Sequence, residues 1–74
     1  MIMPRLPRLN SREAIRALER LGFEQTRQRG SHVVLRRGAT VCVVPIGRDL
    51  KVGTLSGVLT QAGVSVDELL EALK

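Results

Sequence analysis

His32 is the only imidazole in a chain of 74 residues, and it directly follows Gly30 and Ser31. Imidazole exchanges protons near neutral pH, so it can act as a general acid or base without an environment that retunes it. Gly30 lets a phosphate come close to the backbone, and the Ser31 hydroxyl can donate to it. Arg27 and Arg29 stand just upstream, with guanidinium forks that match phosphate oxygens in two places and could clamp a scissile phosphate. A proton-transfer group among phosphate-binding groups suits RNA, which carries a nucleophile, the 2′-hydroxyl, beside every phosphodiester. In that chemistry His32 removes the 2′-hydroxyl proton, leaving a 2′,3′-cyclic phosphate and a 5′-hydroxyl. The reverse role, acid to the leaving 5′ oxygen, stays open, and with one imidazole the other proton step falls to water or a substrate group. The plain alternatives are a solvated histidine at a strand start, a turn glycine at Gly30 and edge polarity at Ser31.

Charge points the same way. The net charge is +5, and ten of the twelve cations are arginine. Residues 1–48 hold those ten arginines against Glu13, Glu19 and Glu24, a net of +7, whereas residues 49–74 carry a net of −2. A basic half of this kind favours a polyanionic partner. Arg12, Arg16 and Arg20 recur every four residues and predict a cationic row on the outer face of a helix. Arg36 shares the predicted face of His32, and Lys51 opens a helix from which it could reach an RNA backbone. A merely solvated face flanked by Glu13 and Glu19 is the alternative for the helical row. With Phe23 as the sole aromatic, base stacking on a single-strand platform is not expected, and contacts to backbone and shape should dominate.

Several function classes drop out. No apolar run approaches the roughly 20 residues of a membrane helix, and the N-terminal arginines are followed by no signal-peptide core. Cys42 is the single cysteine, so neither an internal disulfide nor a zinc cluster is expected, which fits a cytoplasmic setting. No metal or cofactor is expected. A nucleophilic pair of Cys42 with His32 is conceivable across neighbouring strands, but a packed, inert thiol is the simpler reading.

The elements that must position these groups follow from patterning. Residues 1–74 read as one domain opening on an irregular arm over residues 1–9, which carries Pro4 and Pro7. Asn10 with Glu13 has capping-box spacing, and Ala14, Ile15, Leu18 and Leu21 form an apolar helical stripe ended by Gly22. Strands are predicted over residues 23–28, 31–36 and 40–44, with turns at Arg29-Gly30 and Arg37-Gly38. Alternation puts Val33 and Leu35 on one face and His32, Val34 and Arg36 on the other. Val52, Leu55, Val58, Leu59 and Ala62 predict a second helix closed by Gly63. Ser65 with Glu68 caps a short last helix whose apolar side is Val66, Leu69, Leu70 and Leu73. The order α-β-β-β-α-α argues an α+β domain: a three-stranded antiparallel sheet with helices packed on one face. Modest stability alone is expected at this size.

Short motifs run through nearly the whole chain: Leu-x-x-Leu-Gly-Phe at 18–23, Arg-Gly-Ser-His at 29–32, Val-Val-Pro at 43–45, Asp-Leu-Lys-Val-Gly-Thr-Leu at 49–55 and Leu-x-Gln-Ala-Gly-Val-Ser at 59–65. In this order and spacing the chain resembles the HicA family of toxins, whose fold is similar to the double-stranded-RNA-binding domain. The resemblance implies a type II toxin–antitoxin system and a ribosome-independent, metal-independent endoribonuclease acting on mRNA, with His32 of Gly30-Ser31-His32 as its catalytic residue. It also implies a cognate antitoxin of the HicB type that masks the site, the toxin being a monomer or part of a toxin–antitoxin hetero-oligomer. Two positions depart from relatives. Gly47 stands where another histidine is often found, and Val52 where a proline often opens the helix. Two rival readings remain: a non-catalytic RNA-binding module of the same fold, and a protein-interaction subunit that docks a partner through an exposed strand face (Val34, Val44) or its acidic end.

Overall fold

A computed structural model of the protein describes residues 6–47 and 49–74. The elements run β1 (Leu9–Asn10), α1 (Ser11–Arg20), β2 (Glu24–Arg29), β3 (His32–Arg37), β4 (Thr40–Pro45), β5 (Asp49–Leu50), α2 (Val52–Ala62) and α3 (Val66–Ala72). β2, β3 and β4 form a three-stranded antiparallel sheet in sequence order, as the alternation of the segment requires. All three long strands lie within one residue of their predicted bounds, and both turns fall one residue later than expected, on Gly30-Ser31 and Gly38-Ala39.

Both predicted capping boxes form. Asn10 accepts from the Glu13 amide at 2.8 Å while Glu13 accepts from the Asn10 amide at 3.1 Å. Ser65 and Glu68 repeat the exchange at 3.1 and 3.0 Å. Two orphan amides at each helix start are thereby satisfied. α2 ends at Gly63, whose φ of 66° is open to glycine at little cost, and the Val64 amide reaches back to the Leu59 carbonyl at 3.0 Å. That bond is the signature of a Schellman end.

One apolar cluster holds the domain together. Val33, Leu35, Cys42 and Val44 from the sheet meet Ala14, Ala17 and Leu18 of α1, Leu55, Val58, Leu59 and Ala62 of α2, and Leu69 and Ala72 of α3. All three helices therefore cover the same face of the sheet, leaving the other open to solvent. The small residues of α1 let its backbone approach the sheet closely, and the bulk comes from Leu18, Leu35, Leu55 and Leu69.

Three expectations change. The arm predicted over residues 1–9 is partly ordered: its first five residues lie outside the described part, but Leu9 is buried and pairs with Leu50 in a short strand. Strands of two residues are below the reach of periodicity. Val52, expected in the apolar stripe of α2, is 55% exposed because it sits in the first turn, before the helix meets the sheet. Val44, expected beside Val34 on an exposed strand face, is buried. Its register partner is Val33, and residues directly opposite in a sheet share a face, so Val44 points into the core.

Candidate functional site

The site is built on the open face by register. Arg29, His32 and Pro45 stand in one cross-strand row, Arg27, Val34 and Val43 in the next, and Glu24, Arg36 and Val41 in the third. His32 is exposed at the start of β3, one residue past the loop that joins it to β2. Gly30 makes that loop possible. Its φ of 56° is the left-handed value needed at the first position of a two-residue hairpin, and Ser31 follows at ordinary φ. The loop is anchored, because the Ile46 amide donates to the Ser31 carbonyl. His32 thus sits at the end of the sheet between its register partners Arg29 and Pro45, exposed to solvent.

The cations distribute unevenly. Arg27, Arg29 and Arg36 border a shallow depression of about 330 Å³ on the open face, floored by Val34 and Val41. Arg36 leans toward the next turn, where its Nε donates to the Gly38 carbonyl at 2.7 Å. Among the described residues the single ion pair is Glu71 with Lys74 at 3.0 Å. The guanidiniums beside His32 therefore carry no carboxylate partner there and remain available to a phosphate.

The row predicted on α1 divides. Arg12 and Arg16 line a cleft on the helix side of the sheet. Arg20 instead donates to the carbonyls of Ala72 at 2.8 Å and Lys74 at 3.1 Å. It neutralises the C-terminal end of α3, a favourable place for a cation, and its guanidinium is occupied. Lys51 is exposed at the N-cap of α2, whose first turn receives no side-chain cap.

Two residues of structural weight escaped the sequence reading. Ser11 is the one buried polar residue among those described. Its Oγ donates to the Gly47 carbonyl at 3.1 Å and accepts from the Gly47 amide at 3.2 Å, tying the start of α1 to the loop after β4. Arg37 lies over the Phe23 ring at 4.6 Å and donates to the Leu21 carbonyl at 2.9 Å. It fastens the α1–β2 corner and takes no part on the His32 side. Side-chain reach of this kind leaves no mark in periodicity.

Cys42 opposes Leu35 on the core face, whereas His32 is on the open face, so the two cannot form a nucleophilic pair. Burial pushes the Cys42 thiol up, against a smaller opposing pull from Arg37, and the thiol stays protonated at neutral pH. Among the described residues no group of three His, Cys, Asp or Glu side chains could hold a metal ion.

A family model described as the HicA toxin of bacterial toxin–antitoxin systems matches residues 11–64, well over half of the chain. The chain belongs to the HicA toxin family. No curated protein matches it. The matched segment begins at the first residue of α1 and ends just past α2, so it contains the whole β2–β4 sheet of the HicA domain, including Gly30-Ser31-His32. Three helices and a three-stranded antiparallel sheet make an α+β fold of the double-stranded-RNA-binding-domain-like HicA kind. No helix of the described residues is long and apolar enough to cross a membrane.

Proposed function

We propose that this HicA toxin is an endoribonuclease that cuts mRNA independently of the ribosome and without a metal ion, and that His32 is its catalytic acid or base. The observation that carries the reading is the row Arg29–His32–Pro45. It puts the only imidazole at a solvent-facing sheet end, with Arg29 directly opposite and Arg27 and Arg36 on the same face. An RNA strand lying on this face meets cations for its phosphates and one group able to move a proton.

The step balances with few parts. His32 takes the proton of the 2′-hydroxyl, the 2′ oxygen attacks the adjacent phosphorus, and the bond to the 5′ oxygen breaks. The products are a 2′,3′-cyclic phosphate and a 5′-hydroxyl, whose proton comes from water. In the mirrored assignment His32 supplies that last proton and water takes the first. Arg29 and Arg27 are placed to stabilise the extra negative charge of the phosphorane. The Gly30-Ser31 turn adds a close backbone approach and a hydroxyl donor. Arg36, Lys51, Arg12 and Arg16 extend the phosphate-binding surface, and Arg20 contributes long-range charge while bound to α3. With one imidazole the rate should be modest.

A partner follows from the family. The antitoxin, of the HicB type, covers the open face and excludes RNA by volume and by charge. Both proteins act in the cytoplasm.

Purified protein, wild type against His32→Ala, tests the reading on a single-stranded RNA. Cleavage should be lost in the variant, while RNA affinity stays within about threefold because most binding comes from phosphate contacts. Full cleavage by His32→Ala would remove the assignment. RNA binding without cleavage by either form would instead favour the non-catalytic module.

A further inference from the structure

One cavity does not lie on the His32 face. It is a cleft of about 850 Å³ between α1 and the β2–β3 hairpin. Ile15, Val33 and Ile46 give it an aliphatic floor, and Arg12 and Arg16 of α1 and Gln28 of β2 add polar side chains to its lining. This cleft and the catalytic row meet at the same end of the sheet. Gln28 and Val33 are register partners one row in from Arg29 and His32. The Ile46 amide binds the Ser31 carbonyl, and Gly47 is bound by Ser11, next to Arg12. The cleft mouth is thereby fixed to the His32 loop through the backbone.

We infer that this cleft is a subsite for one unpaired nucleoside of the RNA, flanking the nucleotide that is cut, and that it sorts bases. The inference rests on the nuclease reading for its position relative to the cut, but not for the binding itself. The lining matches a nucleoside in three ways. Base faces are apolar and suit the Ile15–Val33–Ile46 floor. Base edges carry both donors and acceptors, which the Gln28 amide can answer with its oxygen and its remaining N–H, its Nε2 already donating to the Gly30 carbonyl at 3.3 Å. The flanking phosphates meet Arg12 and Arg16, whose spacing of four residues puts both guanidiniums on the same side of α1. Glu19 and Asp49 also line the cleft and can accept from the exocyclic amines of a base. Contact between the Gln28 amide and a base edge needs that edge free of a pairing partner, so the strand is unpaired at that nucleotide. The route between the two sites is free, because β2 is an edge strand with every residue exposed.

The test uses short single-stranded RNAs made uncleavable by 2′-O-methylation and differing in one base, so that binding is read without cutting. In wild type the side-chain amide resonances of Gln28 should shift on titration, and affinity should depend on that base. In Gln28→Leu, a change at an exposed position, the preferred base should lose about tenfold in affinity while the others change little, flattening the preference. A second variant, Ile15→Ser, should weaken all four bases together, and unfolding curves of both variants confirm that each is folded. Unmoved Gln28 amides and an unaltered base preference overturn the subsite. So does protection of Gln28 by the antitoxin but not by RNA, which would make the cleft a protein-docking site. Persistent cleavage by His32→Ala sinks the catalytic assignment and leaves these binding results standing, so the two failures are distinguishable.

Discussion

A lone imidazole can be catalytic only if a substrate reaches it, and in this protein one residue of register decides that. Shifting β3 by one position would exchange His32 and Val33, sealing the ring in the core. Arg29 and Arg27 are among its neighbours on the open face, and removing one phosphate-binding cation should reduce the salt sensitivity of RNA binding by about one counterion. Arg29→Ala is therefore expected to weaken RNA affinity at low salt and to flatten the log–log salt slope by about 0.7–0.9. Titrations at several salt concentrations read this directly. A slope equal to that of wild type would take Arg29 out of the phosphate contacts. The residue scale was legible in part. The exposure of His32 and its face-sharing with Val34 and Arg36 came from alternation. That Arg20 binds the end of α3 and Arg37 covers Phe23 came from side-chain reach across elements, which spacing does not encode.

The elements are held by local devices with separable contributions. The Glu68 carboxylate accepts from the Ser65 amide, and this hydrogen bond, with the Ser65 side chain beside it, holds its carboxyl below the ordinary value. A depressed carboxylate stabilises the fold above its unfolded-state pKa, and this contribution is lost as pH falls through the folded-state value. Glu68→Gln should remove that small acid-range dependence while changing neutral-pH stability little, as unfolding midpoints at neutral and acidic pH would show. Ser11 is a stronger case. Ser11→Ala leaves the Gly47 amide and carbonyl without their partner in a part-buried position, a change of about 1–3 kcal/mol. Because Gly47 follows the strand bonded to the His32 loop, the same variant should lower cleavage as well as stability. Unfolding curves and initial rates measured together check both. At the sheet edges, the Gln61 side chain accepts from the Val43 amide at 3.1 Å, so α2 closes the β4 side. The β2 edge stays open, interrupted by a bulge between Gln25 and Arg27 and lined with charge.

For the whole molecule, the uneven charge acquires a geometry. Arg27, Arg29 and Arg36 gather on the open face, and the helices cover the other. A domain of this size has little surplus stability, and its core depends on a few leucines. Leu35 is fully buried at the centre of the sheet, so Leu35→Ala should cost about 2–5 kcal/mol. That is a large share of the roughly 5–15 kcal/mol typical of a folded domain. Chemical denaturation gives the number, and a loss below about 1 kcal/mol would contradict the packing described. An antitoxin that binds the folded toxin should offset part of this loss by mass action.

The amino-acid order alone determined the helices with their caps, the long strands to within one residue, the face on which His32 lies, the α+β class and the chain of motifs shared with the HicA family. These are short-range properties, set by periodicity and by the conformational needs of a few residues. Tertiary structure decided the pairing of Leu9 with Leu50, the burial of Val44, the engagement of Arg20 with α3 and the cleft beneath Arg12 and Arg16. Each joins residues far apart in the chain, where contact depends on how packed elements meet.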